Sequence, residues 1–105
     1  MKETTDPMEI FHKEAPDVAK AFDGLIQSLI NSKGLDEKTK QLIYIAMKAS
    51  ASDQTAISFH VLMAKKLGAT REEIVDAILM TLTVSGVTGI AACLPTAIEI
   101  YNKTD

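Results

Sequence analysis

Apolar residues recur with helical spacing along almost the whole chain, and this periodicity restricts the fold more than any other feature. Between about Pro16 and Ser32 they fall on every third or fourth position, as one buried face of a helix requires: Val18, Phe22, Leu25, Ile26, Leu29 and Ile30. No stretch of useful length alternates between polar and apolar residues as a strand does. The sequence therefore predicts an all-α fold.

Capping residues divide the middle of the chain into three further helices. Asp36 can cap the first of them, and residues 50–53, with the sequence SASD, predict a short break because Ser and Asp compete for backbone hydrogen bonds. Gly68 is expected to end the next helix, since glycine adopts the left-handed conformation common at helix ends. Thr70 and Glu73 form a capping-box signature that starts another helix.

The apolar positions of these helices define the expected core. In the helix after Asp36, the inward face is predicted to contain Leu42, Ile43, Ala46, Met47 and Ser50. The next helix, from about Asp53 or Gln54 to Leu67, is predicted to bury Ala56, Ile57, His60, Val61 and Ala64. The helix after Thr70 contributes Ile74, Ala77, Ile78 and Leu82. Methionines 47, 63 and 80 lie on apolar faces, where core packing is their expected role.

The C-terminal part of the chain predicts a turn or frayed helix end at residues 84–89 and a last helix from about Thr88 to Asn102. Pro95 lies inside that helix and removes a backbone hydrogen bond, at a cost of roughly 3 kcal/mol unless a kink is accommodated. Cys93, the one cysteine, is expected to behave as a small buried hydrophobe. A single thiol excludes an intramolecular disulfide and fits a reducing compartment, so we expect a cytoplasmic protein.

The chain is too short to bury all of this apolar surface by itself. A domain of 105 residues buries only about two-thirds of the surface that its unfolded chain exposes. Aromatic residues make up 5% of the chain and tryptophan is absent, so aliphatic side chains must fill the core. Such aliphatic faces on short helices are typical of homo-oligomers.

Charge and hydropathy argue against several classes of partner. The formal net charge is −3, and Lys and Arg are scattered among the acids, so we expect no nucleic-acid partner. Thr, Ser and Gly interrupt the longest weakly polar run, Ala77–Pro95, and the N-terminus has no apolar stretch of signal-peptide length. Neither a membrane span nor export is therefore expected. One cysteine excludes a multi-cysteine metal site, and we expect no metal or cofactor.

His60 is followed by the pattern H-x7-G-A-T-x-E-E-I. This spacing, the restart at A-T-R-E-E-I and the order of the helices resemble the carboxymuconolactone decarboxylase and AhpD-like alkylhydroperoxidase family. The resemblance implies an AhpD-like domain of about five to six helices over residues 16–105, preceded by a short helical or loose arm at residues 1–15. It also implies a homotrimer or homohexamer.

The sequence departs from the family's peroxidase pattern at the redox positions. In that branch two cysteines lie seven and four positions before the histidine, and a glutamate lies twelve positions before the first cysteine. The corresponding residues here are Asp53, Ala56 and Gln41. Neither alanine nor aspartate can take part in thiol–disulfide exchange, and glutamine cannot relay a proton as a carboxylate does. Thiol peroxidase chemistry is therefore not expected.

The lactone decarboxylase branch works without a cysteine pair, so the resemblance is compatible with an enzyme. His60 would be its proton donor or acceptor, because imidazole titrates near neutrality, and the substrate would be a small organic acid or lactone. Asp53 and Gln41 are the other candidate site residues. Asp53 lies too far from His60 along one helix for a direct contact, and Gln41 would approach from the preceding helix.

Few cations are candidates for binding a dicarboxylate. Lys48, Lys65 and Lys66 are expected to face solvent, and Arg71 is expected on the surface of a first helical turn. The sequence therefore offers no arginine or lysine clearly placed beside His60.

The alternative is a non-catalytic oligomeric or small-ligand-binding protein that retains the fold. In this interpretation His60 is a buried imidazole bonded to a helix carbonyl, Asp53 is an N-cap and Gln41 is a solvated helix residue. Convergence of all three around a pocket with a bound anion would favour the enzyme. Dry, apolar surroundings of His60 would favour the alternative.

Overall fold

Seven helices and no strands form the part of the chain that the computed structural model describes, residues 5–103, which confirms the all-α prediction. Six of them have eight residues or more, whereas α6 is a single turn of four residues. In chain order they are α1 (Pro7–Glu14), α2 (Pro16–Asn31), α3 (Glu37–Ser50), α4 (Gln54–Lys66), α5 (Arg71–Leu79), α6 (Leu82–Ser85) and α7 (Val87–Lys103).

The chain divides into two compact units, with the boundary between Gly34 and Leu35. The first unit contains α1 and α2, which pack against each other through Phe11 and Phe22, whose ring centroids lie 5.8 Å apart. His12 Nε2 lies 2.6 Å from Asp23 Oδ2, and this hydrogen bond raises the pKa of His12 above its ordinary value. His12 is exposed.

The second unit contains α3 to α7 and the core that positions the candidate site. In this unit α4 packs between α3 and α7, and α5 packs against the same two helices. The buried residues come from all four of these helices and from the loop between α4 and α5: Ile45, Ala49, Ile57, Val61, Ala64, Ala69, Ile74, Ile78, Cys93 and Ala97. The predicted inward faces of α4 and α5 are confirmed for Ile57, Val61, Ala64, Ile74 and Ile78.

Local hydrogen bonds begin and end the helices where the capping residues predict. The carboxylate of Asp36 accepts a hydrogen bond from the Thr39 amide at 2.7 Å, at the start of α3. Thr70 and Glu73 form both bonds of a capping box before α5. Gly68, which follows α4, has a φ of +94°, a conformation that favours glycine because side chains are strained there.

The last helix approaches α3 unusually closely at Gly89. A Cβ atom on this residue would lie 2.5 Å from the Ala49 carbonyl oxygen and 3.3 Å from Thr81 Oγ1. Only glycine therefore allows the backbones of α3 and α7 to pack at this distance. Pro95 lies inside α7 as predicted, and the helix continues past it to Lys103.

The prediction for the inward face of α3 was wrong, because the helix is rotated about its axis relative to the predicted orientation. Its fully buried residues are Ile45 and Ala49, whereas Ile43 is 43% exposed and Met47 is 58% exposed. The helix is apolar on two sides, so its periodicity alone does not indicate which side packs against α4, α5 and α7. The predicted Leu42 contact is confirmed, because Leu42 packs partly buried against the core.

Other apolar side chains predicted to be buried remain on the surface of the single chain. On α2, the side chains of five such residues are between 39% and 62% exposed: Val18, Phe22, Leu25, Leu29 and Ile30. Met63 and Met80 are also exposed, so core packing does not explain them. In residues 5–103, no helix combines the length and apolarity needed to cross a membrane.

Candidate functional site

One face of α3 supplies three polar side chains to the candidate site. Gln41, Tyr44 and Lys48 follow one another at intervals of three and four residues, which places them in a row along one side of a helix. All three are partly buried. They face α4, the helix that packs most closely on α3 and carries His60.

Gln41 orients the imidazole of His60. Its Oε1 atom lies 2.8 Å from His60 Nδ1. Because a carbonyl oxygen can only accept a hydrogen bond, Nδ1 must carry the proton, and the lone pair of a neutral ring is on Nε2. Within residues 5–103, no group forms a hydrogen bond with Nε2. The arrangement therefore leaves the basic nitrogen of His60 available for a ligand.

The surroundings of His60 favour its neutral form. Burial lowers the pKa of the imidazole below its ordinary value of 6.5, and the positive charge of Lys48 lowers it further. The negative charge of Asp53 acts in the opposite direction but does not reverse the shift. At neutral pH His60 is therefore a proton acceptor.

Asp53 caps α4 and pairs with Lys48, and it makes no direct contact with His60. Its Oδ1 atom accepts a hydrogen bond from the Ala56 amide at 3.0 Å, and its Oδ2 atom lies 3.5 Å from Lys48 Nζ. The structure thus brings Gln41 and His60 into contact, whereas Asp53 acts on His60 only through its charge. The predicted N-cap position of Asp53 is confirmed.

Tyr44 and Lys48 also lie near His60, a position that was not predicted for either residue. The Tyr44 ring packs against the imidazole with a centroid distance of 4.2 Å, and Lys48 Nζ lies 5.5 Å from the centroid of the same ring. The Lys48 side chain is 34% exposed, so its predicted solvent-facing position is confirmed only in part. The spacing of Gln41, Tyr44 and Lys48 is the sequence signal that could have identified both residues.

Cys93, the one cysteine of the sequence, does not replace the missing redox pair. Cys93 is fully buried in α7, as predicted, and burial raises the pKa of its thiol. The negative charge of Asp53 raises that pKa further. A thiol in this environment stays protonated and unreactive at neutral pH.

The candidate site has few groups that could coordinate a metal. His60 supplies one nitrogen, and the Asp53 carboxylate is already used by the helix cap and by Lys48. Within the described part of the chain, no three His, Cys, Asp or Glu side chains converge in a metal-binding arrangement.

Comparisons with known proteins identify the architecture. The carboxymuconolactone decarboxylase family profile matches residues 16–99. The crystal structure of apo-lpg0406, a carboxymuconolactone decarboxylase family protein from Legionella pneumophila, superposes with a TM-score of 0.81 and 30% identity, covering 94% of this chain and 88% of that one.

Two proteins of Methanocaldococcus jannaschii are also similar in sequence. The uncharacterized protein MJ0742 is 36% identical over 80 residues, which cover 75% of this chain and 77% of that protein. The uncharacterized protein MJ1511 is 25% identical over 95 residues, which cover 90% and 89%. Since the family profile spans most of the helical chain described above, the protein belongs to the carboxymuconolactone decarboxylase family.

Proposed function

We propose that this protein is a cysteine-independent acid–base enzyme that acts on a small organic acid or lactone through His60. The observation that carries the proposal is the 2.8 Å contact between Gln41 Oε1 and His60 Nδ1. This contact orients a neutral imidazole so that Nε2 is available as a base. Burial and the charge of Lys48 both hold the imidazole in its neutral form.

A base in this state can move a proton on a carbonyl compound. Nε2 accepts a proton from the carbon beside the carbonyl group, and the electron pair of the broken C–H bond enters the enolate. The imidazolium then returns the proton to a different carbon, which shifts the double bond of a lactone. In a decarboxylation, the electron pair of the broken C–C bond stays on the substrate as CO₂ leaves, and His60 passes a proton from water to that carbon, so that the hydroxide left behind combines with CO₂ as bicarbonate.

The rate is expected to rise with pH on the acid side of neutrality. The neutral form of His60 is the active one, and its pKa lies below 6.5 in the folded protein. The value of kcat/KM should therefore increase as the pH passes that pKa and stay level above it. The measurement is kcat/KM between about pH 5 and 8 for whichever substrate emerges from a screen of small lactones and carboxylic acids. A rate that falls as His60 deprotonates would show that the imidazolium is the active form.

Thiol-dependent peroxide reduction is expected to be absent. Asp53 and Ala56 occupy the positions of the redox cysteines, and Cys93 is buried with a raised pKa. Peroxide consumption with a thiol reductant should match the background rate for both the native protein and Cys93→Ser. Turnover that is present in the native protein and lost in Cys93→Ser would make Cys93 a nucleophile.

The proposal includes a homo-oligomer of three or six chains in the cytoplasm. Apolar side chains exposed in the second unit include Met47, Phe59, Val84 and Val87, at 58–80%. Large apolar side chains that are exposed on a single chain are often buried at the subunit interfaces of homo-oligomers. A single thiol without a disulfide partner is compatible with the reducing cytoplasm.

The assembly is tested by light scattering at micromolar concentration. We expect a mass three or six times the 11.4 kDa of one chain. Substituting Val87 with a charged residue should weaken the assembly, because its side chain is 72% exposed in the single chain. A stable native monomer would contradict the prediction.

A further inference from the structure

His12 joins the two helices of the first unit through both of its ring nitrogens. Nδ1 lies 2.7 Å from the carbonyl oxygen of Met8 on the same helix, and Nε2 lies 2.6 Å from Asp23 Oδ2 on α2. A carbonyl oxygen and a carboxylate oxygen accept hydrogen bonds and do not donate them. Both nitrogens must therefore carry a proton, so this geometry is that of an imidazolium cation.

A neutral imidazole cannot make both contacts, because it has one N–H group and one lone pair. If the proton stays on Nε2, the lone pair of Nδ1 faces the Met8 carbonyl oxygen, and the ring loses its anchor on α1. If the proton stays on Nδ1, the lone pair of Nε2 faces the Asp23 carboxylate. Hydrogen bonds between ionised groups are roughly twice as strong as those between neutral groups. Loss of the proton thus weakens the link between α1 and α2 with either tautomer.

The stability of α1 depends on contacts outside the helix. No residue of α1 is buried. Within the first unit, its contacts include the bond from His12 to Asp23 and the packing of Phe11 on Phe22, whose ring centroids lie 5.8 Å apart. With eight residues, α1 is shorter than the roughly 12–15 residues that an isolated helix needs in water. An α1 that leaves α2 is therefore expected to unfold.

Asp23 is the charged group that contacts the imidazole. Helical spacing brings two further ionisable side chains near the pair, Glu9 one turn before His12 on α1 and Lys20 one turn before Asp23 on α2. Their charges are opposite, so their effects on the imidazole oppose each other. The Phe11 ring, whose centroid lies 5.9 Å from that of the imidazole, carries no charge. The charge on His12 is therefore governed mainly by Asp23.

These contacts determine the direction of the pH dependence. The hydrogen bond to Asp23 raises the pKa of His12 above 6.5, and the bond to Met8 raises it further, whereas slight desolvation lowers it without reversing the shift. A group whose pKa is raised in the folded protein stabilises the fold at low pH, and this contribution is lost as the pH rises through the folded value. Docking of α1 should therefore be strongest below pH 6.5 and weaken above it.

We propose that α1 is a pH-sensitive arm, held against α2 by the imidazolium form of His12 and released when that proton is lost. Release uncovers the side of Phe22 that packs on Phe11, on the apolar face of α2 that includes Val18 and Leu25. The exposed apolar surface of α2 therefore grows as the pH rises. This device is separate from the proposed function, because the candidate site is built from α3 and α4.

The test follows NMR signals of the intact chain between about pH 5 and 9, which includes the range in which histidine usually titrates. The imidazole signals report the protonation of His12. The nuclear Overhauser effect between the Phe11 and Phe22 rings reports docking, and the Cα shifts of residues 7–14 report the helix content of α1. In the native protein the ring contact and the helical shifts should be lost in the same step as the His12 proton, above pH 6.5.

Two variants should abolish this step, and a third should keep it. Asp23→Asn removes the carboxylate and keeps the shape of the side chain, so His12 should titrate near its ordinary value without a matching loss of the ring contact. His12→Gln should also remove the step, which separates it from titration of the α-amino group near about pH 8. Asp17→Asn is the matched control, because Asp17 is an exposed carboxylate on α2, six residues before Asp23.

Several results would overturn the proposal. One is a ring contact that persists in the native protein after His12 has lost its proton. Another is a step that survives in Asp23→Asn or in His12→Gln. An equal loss of the step in Asp17→Asn would show a general effect of removing a negative charge from α2. Where a variant does not fold, the native titration decides, because the loss of the proton and the loss of the ring contact must coincide there.

Discussion

Replacing His60 with glutamine is expected to lower the rate of turnover by roughly 10²–10⁴-fold, the range typical for loss of a general base. Glutamine is polar and similar in length, so it can keep a contact with Gln41, but it cannot accept and return a proton. Folding should remain nearly intact, because the imidazole is only partly buried and Nε2 has no hydrogen-bond partner within residues 5–103. The measurement compares kcat and thermal unfolding in His60→Gln and the native protein.

His12→Gln provides the control for this experiment. His12 is exposed, lies in the first unit and pairs with Asp23, so its replacement should leave turnover unchanged. If His60→Gln lowered the thermal stability instead of the turnover rate, His60 would be a structural imidazole. In that case the variant would lose about 1–3 kcal/mol of stability because a partner is left unsatisfied, and no lactone or carboxylic acid would be turned over by the native protein.

Replacing Gly89 with alanine is expected to destabilise the second unit by about 2–3 kcal/mol. The added Cβ would lie 2.5 Å from the Ala49 carbonyl oxygen, which belongs to the backbone of α3 and cannot rotate away. Alanine gains up to about 1 kcal/mol of helix propensity over glycine, but the clash outweighs this gain. A loss of this size corresponds to a melting temperature lower by roughly 10–20 °C.

Gly24→Ala is the matched control for Gly89→Ala. Gly24 lies within α2, and no heavy atom would come within 4 Å of an added Cβ. This substitution should raise stability by about 0.5–1 kcal/mol through helix propensity alone. Circular dichroism follows the helices of both units, whereas the fluorescence of Tyr44 and Tyr101, the two tyrosines of the chain, follows the second unit alone. A Gly89→Ala protein as stable as the native one would show that α3 and α7 can separate at no cost.

Local sequence was sufficient to predict α2, α3, α4, α5 and α7 and most of their ends, whereas it left α1 open and did not indicate α6. The capping bonds of Asp36, Asp53 and the pair Thr70 and Glu73 each span three residues, so the information needed to predict them is contiguous in the chain. The inward face of α4 was also predictable for Ile57, Val61 and Ala64, which recur at helical spacing, although Phe59 and Met63 of the same helix are exposed. The H-x7-G-A-T-x-E-E-I pattern after His60 lies within the segment matched by the family profile, so it indicated the fold as well.

Tertiary structure decided which side of α3 is buried and which residues surround His60. Because α3 is apolar on two sides, its partners rather than its periodicity place Ile45 and Ala49 in the core. Gly89 meets Ala49 from forty residues away in sequence, a contact that no local pattern indicates.

The site shows the same division between local and long-range information. Gln41 and His60 were both candidates from the sequence, but their 2.8 Å contact joins residues nineteen positions apart and depends on how α3 packs on α4. The same packing turns Lys48 toward Asp53 and Tyr44, a position for which its spacing from Gln41 and Tyr44 was the one local signal. Local hydrogen bonds and side-chain spacing therefore determined the helices, whereas the chemistry of the site arose only from the long-range packing that brings two helix faces together.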